Sequence, residues 1–292
     1  MAVLCGRHWK KHGLVAAGEL KPDAGVNSLA ATHIAGVELD LAMNEELRRY
    51  ERHVILPGIG VEGQNRIRRS RVLCVGAGGL GSAVAMHLAA AGVGVLGVVD
   101  DDRVDLTNLP RQLLHGTPDI GRLKAESARD TLRRLNPEVE VVCHLVRLDR
   151  ENVLDIVGGY DLVVDCSDNM QTRYVVNEAC VRLRKTNVYG AVFQFEGQAS
   201  VLAPHMGGPC YRCMYPEPPC GGGAHSGAPF GVLSTVPGII GNIQATEAMK
   251  VIAGFGDPLI GRLLILDALR MQFRELKTRR DTSCPTCGVA RE

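Results

Sequence analysis

From about residue 70 the apolar positions fall into short runs separated by helical stretches. RVLCV (71–75) is an apolar run of strand length, and Leu80, Val84, Leu88 and Ala91 then recur at the spacing of one helix face. VGVLGVVD (93–100) is a second β-rich run that ends in acid. Ala125, Ala128, Leu132 and Leu135 mark another helix, stopped at Asn136-Pro137 because a proline disfavours helical backbone in the residue before it. VEVVCHL and DLVVD (161–165) read as strands, and Val175, Val176, Ala179 and Leu183 as a helix face. This alternation predicts an α/β fold with a Rossmann-like, doubly wound, mostly parallel sheet.

Past residue 186 the rhythm changes. NVYGA, QASVLA, RLLILD and MQFREL read as strands, three of them alternating in polarity, so the sheet is expected to continue into an antiparallel part. One helix carries Ile239, Ile240, Ile243, Met249 and Ile252, with Pro237 in its first turn, where a missing N–H costs no hydrogen bond. A Pro/Gly-rich stretch, Pro216–Gly231, precedes it. Residues 1–42 have no sustained period and are expected to be a flexible extension or the product of an upstream start, with one domain over 43–292. The other reading, a partner-binding arm, rests on the weak basic cluster Arg7, His8, Lys10, Lys11 and His12.

Composition narrows the function classes. Of 292 residues, 46% are apolar and 22% charged, which excludes a disordered chain or a coiled coil. Lys and Arg number 33 against 32 Asp and Glu, a net charge of +1, so no global field attracts nucleic acid or an anionic membrane and any anion site is local. Residues 1–20 hold no apolar export signal, and the longest apolar stretch, Ala83 to Val99, is broken by His87 and three glycines. Ten cysteines without an export signal point to a reduced, cytoplasmic protein.

Three segments carry candidate chemistry. Gly76-Ala77-Gly78-Gly79-Leu80-Gly81 follows a strand and opens a helix. Gly76 permits the tight turn, Gly78 lets backbone approach a phosphate or ribose, and Gly81 lets helix and strand pack closely. Asp100, at the end of the next strand, is placed to accept ribose hydroxyls. The identity of the nucleotide stays open at this point. The second segment runs from Asp100-Asp101-Asp102 through Asn108-Leu109-Pro110-Arg111-Gln112 to Lys124. Fixed cations beside a nucleotide suit triphosphate binding and nucleotidyl transfer, although Arg111 or Lys124 taken singly also reads as an ordinary surface charge. The third is Asp165-Cys166-Ser167-Asp168-Asn169, at the carboxyl end of a strand, where ligands bind in such sheets. Asp168 is a candidate Mg²⁺ ligand, with Asp168 or Ser167 as a helix N-cap the alternative.

Together these segments resemble the ThiF/MoeB/HesA adenylyltransferases, relatives of ubiquitin-activating enzymes, over roughly residues 43–290. The resemblance is carried by ELRRYERHVILPGIG (46–60), VGAGGLGS (75–82), the DDD…NLPRQ segment, GRLKAESA (121–128), DCSDNMQTRYVVN (165–177), PGIIGNIQATEAMK (237–250) and two C-x-x-C pairs. It implies an enzyme that uses ATP and Mg²⁺ to adenylate the C-terminal glycine carboxylate of a ubiquitin-like sulfur carrier (MoaD/ThiS type, ending in Gly-Gly), releasing pyrophosphate for molybdopterin, thiamine or related synthesis. By the same resemblance Gly76, Gly78, Gly79, Gly81, Asp100, Asp102 and Asn108 hold the nucleotide, while Arg111, Lys124 and the magnesium-linked Asp168 serve catalysis. Arg52 matches an arginine that reaches the partner subunit's nucleotide, which implies a homodimer. Pro110 departs from the family, which commonly has a polar residue there.

Cys210/Cys213 and Cys284/Cys287 have the C-x₂-C…C-x₂-C spacing of a closed structural Zn²⁺ site, and the second pair lies too near the C-terminus to open the helix of a redox βαβ unit. Cys74, Cys143, Cys166 and Cys180 sit singly in apolar runs and read as core. By the resemblance, many family members carry a reactive cysteine at the position of Gly227. Cys220, in PPCGGGAHSGAP, is the nearest thiol, either a covalent participant or an incidental one. The chain ends just after the second pair, so any persulfide is expected from a separate donor. Activation of a different ubiquitin-like protein or peptide is the alternative within the class. An NAD-dependent oxidoreductase is the alternative outside it, and it leaves Arg111, Lys124 and the Asp168 segment unexplained.

Overall fold

The computed structural model describes residues 45–216 and 231–288. The extension 1–42, Met43, Cys220 and Gly227 lie outside the described residues. Among the described residues eight strands form one sheet: β1 (Arg71–Val75), β2 (Val95–Val99), β3 (Glu140–His144), β4 (Leu162–Asp165), β5 (Thr186–Phe193), β6 (Glu196–Leu202), β7 (Arg262–Asp267) and β8 (Gln272–Lys277). Their order is β3-β2-β1-β4-β5-β6-β7-β8. The first five are mutually parallel, and the pairs from β5 to β8 are antiparallel. The expected doubly wound sheet with an antiparallel continuation is what the chain forms.

The helices are α1 (Glu51–Val54), α2 (Gly60–Arg69), α3 (Gly79–Ala90), α4 (Lys124–Leu135), α5 (Val153–Gly158), α6 (Met170–Arg182), α7 (Tyr211–Met214) and α8 (Thr235–Ala253). Side chains alternate across β1. Val72 and Cys74 join one core layer with Leu80, Val84 and Leu88 of α3, Ala128 and Leu132 of α4, and Val236 and Ile240 of α8. Leu73 and Val75 join the layer on the other face, with Val176, Ala179 and Cys180 of α6. Both faces of the parallel half are therefore covered, which is why its strands read as continuous apolar runs. Cys74, Cys166 and Cys180 are buried and Cys143 is half-buried, so the four single cysteines are core or core-edge residues.

α3 and α8 lie so close that a Cβ on Gly241 would meet Leu80 O at 2.7 Å. Gln244 of α8, fully buried, donates to Asp165 O (2.8 Å) and Val188 O (3.1 Å) and ties this helix to the ends of β4 and the middle of β5. β8, at the edge of the sheet, is exposed along its whole length. Among the described residues no helix is long and apolar enough to cross a membrane.

Candidate active site

A cavity of about 510 Å³ opens at the carboxyl ends of β1, β2 and β4, between Gly76–Leu80, Asp100–Asp102, Arg111–Gln112, Lys124, Val146–Leu148 and Ser167–Arg173. The connection from β1 to α3 is the first wall. Gly76 has φ +99° and donates to Val99 O (2.8 Å), and a Cβ on Gly81 would fall on Gly76 O, so only glycine lets the helix start this close to the strand. Gly76, Gly78 and Gly79 line the cavity; Gly81 lies beneath them and acts through packing. The first amides of α3 have no carbonyl a turn earlier to bond, which leaves donors and a positive dipole end toward the cavity.

Asp100 forms the second wall. One carboxylate oxygen accepts from Ala77 N (2.8 Å) and the other from Asp102 N (2.9 Å). Burial raises its pKa above the ordinary aspartate value, against the pull of those amides and Lys124. Lys124, at the start of α4, is buried at 6% exposure and donates to Asp102 Oδ2 (2.8 Å). Arg111, which lines the cavity, donates to Thr107 O (2.9 Å). Asn108 is not among the lining residues: its Oδ1 accepts from Asp105 N (3.1 Å) in a capping box around residues 106–108. Arg52, on α1, is exposed and outside this cavity.

The turn after β4 is the third wall. Asp168 is exposed on the cavity, and the helix N-cap is Asn169, whose Oδ1 accepts from Thr172 N (2.9 Å). The capping alternative for Asp168 and Ser167 is thus replaced by their neighbour, which leaves the Asp168 carboxylate available to a cation. Ser167 instead donates to the fully buried Asp165 (2.6 Å), whose other oxygen has no partner among the described residues. Burial raises the Asp165 pKa, opposed by Arg173. Arg173 donates to Ser167 O (2.8 Å) and lies 5.5 Å from the centre of the Tyr189 ring. Arg173, Asp165 and the buried, cavity-lining Gln112 were not singled out from sequence, although each lies inside a quoted motif.

Away from the cavity, Cys210, Cys213, Cys284 and Cys287 bring their sulfurs together within 4.8 Å. Sγ distances are 3.8 Å for 210–213, 3.7 Å for 210–284 and 3.4 Å for 213–287. Four thiolates tetrahedral about zinc at about 2.3 Å sit about 3.8 Å apart, so the donor set and its spacing fit Zn²⁺. Asp281 N points at Cys213 Sγ (3.4 Å), and Arg280 donates to the carbonyls of Pro204 and Cys287, fastening the second pair to the turn that follows β6.

Residues 50–286 match the ThiF family. The sulfur carrier protein adenylyltransferase of Thermus thermophilus is 51% identical over 249 residues, covering 84% of this chain and 92% of that protein. The probable adenylyltransferase/sulfurtransferase MoeZ of Mycobacterium tuberculosis is 48% identical over 244 residues, covering 82% of this chain and 62% of its own length. Among solved structures, E. coli MccB crystallised with ATP has a TM-score of 0.75 at 24% identity, covering 82% of this chain and 74% of that one, a likeness of fold.

Proposed function

The chain belongs to the ThiF family, and from that premise we propose that it is an ATP-dependent adenylyltransferase acting on the C-terminal glycine carboxylate of a ubiquitin-like sulfur carrier protein. The carboxylate oxygen attacks the α-phosphorus of ATP, the bond to the β-phosphate oxygen breaks, and acyl-adenylate and pyrophosphate result. No general base is required, because a carboxylate is ionised at neutral pH. The carrying observation is the convergence on one cavity of a glycine turn, a strand-end acid, Arg111, Lys124 and Asp168. Hydride transfer to NAD would leave both cations and Asp168 without a task.

The chemical difficulty is bringing one anion against another. Arg111 and Lys124 offset that repulsion and stabilise charge gathering on the phosphates. Lys124 must exchange Asp102 for phosphate as the nucleotide enters, so its charge is held in place before binding. Asp168, a carboxylate on the cavity wall with no partner among the described residues, suits a hard cation, with phosphate oxygens supplying further ligands; bound Mg²⁺ would withdraw charge from the phosphates. Asp100 takes the ribose, and the glycine turn takes the phosphates. Arg52 stands outside this subunit's cavity, consistent with service to a partner subunit in a homodimer, and Asn108 supports the segment that presents Arg111.

The cysteine cluster is read as a structural Zn²⁺ site. Adenylation itself needs no thiol, so sulfur is proposed to come from a separate persulfide donor, in the cytoplasm. The test is ATP–pyrophosphate exchange with carriers ending in Gly-Gly. Carrier-dependent exchange is expected, and tight NAD binding with no exchange for any carrier would reverse the assignment.

A further inference from the structure

We propose that His115 is a positioning residue for the nucleotide, closing a ring of hydrogen bonds that fixes the glycine turn, the acidic strand end and Lys124 relative to one another. The ring is traced through six residues. Lys124 Nζ donates to Asp102 Oδ2 (2.8 Å), Asp102 N to Asp100 Oδ1 (2.9 Å), and Ala77 N to Asp100 Oδ2 (2.8 Å). His115 Nε2 then meets Ala77 O (2.9 Å), and His115 Nδ1 meets Ser127 Oγ (2.9 Å). Ser127 stands three residues after Lys124 on α4, so the helix backbone completes the circuit.

The chemistry of the partners decides the tautomer. Ala77 O only accepts, so Nε2 carries the proton and Nδ1 accepts from the Ser127 hydroxyl. Burial holds the imidazole below its ordinary pKa, so it is neutral at pH 7, with one ring nitrogen donating and the other accepting. His115 is itself buried, at 6% exposure, and is not among the residues lining the cavity. It therefore works through Ala77, which is fully buried and has both polar groups engaged, one by Asp100 and one by His115. With that peptide pinned, the turn that follows it has one orientation, and its amides and the carboxylate of Asp100 face the cavity together. Without His115 the Ala77 carbonyl is a buried acceptor with no donor, and the peptide is free to turn away from Asp100.

The inference rests on the nucleotide reading of the cavity, so the wild type is first shown to bind ATP·Mg; failure there removes that reading, whereas the variants test His115. A glutamine reaches as far as the histidine Nε2 and restores a donor to Ala77 O. An asparagine reaches only as far as Nδ1 and restores the Ser127 side. The measurements are the ATP Kd by titration calorimetry, the KM values for ATP and for carrier in pyrophosphate exchange, and the melting temperature. His115→Asn and His115→Phe are expected to raise the ATP Kd and KM about tenfold, equivalent to about 1.4 kcal/mol, with the carrier KM within twofold. His115→Gln is expected to stay within threefold of wild type. If Asn preserves ATP affinity as well as Gln does, or if affinity follows only the melting temperature across the three variants, the positioning role is overturned. Should the Phe variant fail to fold, the Gln/Asn pair decides.

Discussion

Lys124→Met separates what the charge does for the fold from what it does for the reaction. Methionine keeps most of the apolar stem that α4 buries, so the variant removes mainly the ammonium. Its partner Asp102 is 69% exposed at the side chain, and once released it is solvated by water, so the stability cost is that of a surface ion pair, up to about 1 kcal/mol. The reaction loses more. Lys124 is 8% exposed at the side chain and held in advance on the cavity wall, where removing one preorganised donor from a developing charge costs about 3 kcal/mol, a little over a hundredfold in rate. The assay is carrier-dependent ATP–pyrophosphate exchange at saturating carrier, beside a thermal melt. The expected result is a fall of roughly a hundredfold in kcat/KM for ATP with a melting temperature within about 4 °C of wild type. Asp102→Asn, which leaves the ammonium in place, is expected to lose less than about tenfold, the span of a single weakened polar contact. An exchange rate in Lys124→Met within threefold of wild type would refute the role given to Lys124.

Metal analysis is expected to find one Zn²⁺ per chain, lost in Cys287→Ser together with several degrees of melting temperature; a metal-free wild type with an unchanged melt in chelator would remove the zinc assignment. Arg52→Ala is expected to lose exchange activity, yet mixing it with Lys124→Met subunits should restore activity in hybrid dimers, which contain one intact composite site; no recovery after subunit exchange would place Arg52 elsewhere. Arg122 bonds Asp130 (2.5 Å) and Asp119 (2.7 Å), and its hydrogen bond holds Asp130 below the ordinary aspartate pKa. That stabilisation is complete above the unfolded value, about pH 3.9, and is lost as pH falls through the depressed one. Arg122→Gln is therefore expected to flatten the fall in melting temperature between about pH 4 and pH 2, and parallel curves for wild type and variant would count against the linkage.

The layered fold was legible because both signals it depends on are local. Apolar runs ending in Gly or acid mark strands buried on two faces, and the change of rhythm after residue 186 marks the turn to antiparallel pairing. The two cysteine pairs were legible for the same reason: each C-x-x-C is a local unit, although its mate is 74 residues away. What escaped the sequence depends on distance. α2 was not anticipated, because GVEGQNRIRR carries only Gly63, Gln64 and Ile67 into the core and has two glycines. His115 has partners at 77 and 127, and Arg173, on α6, gains its meaning from Tyr189 on β5; no spacing within the chain announces either. Asn108, which the resemblance gives to the nucleotide, also has a local task that its motif does not announce: its side-chain oxygen accepts from Asp105 N in the turn ahead of Arg111.

The open edge of β8 bears on how the protein behaves in a crowded solution. Among the described residues nothing pairs with its outer side; an edge strand offers a row of unpaired backbone groups to any other chain, and Phe273 and Leu276 make this one adhesive on both sides. Arg274, Glu275 and Lys277 lie between and after them, and the strand is only six residues long. A second copy pairing antiparallel across this edge would have to desolvate those charges. One pairing in parallel register would set like charge against like, so the same six residues discourage the stacking on which fibrils grow.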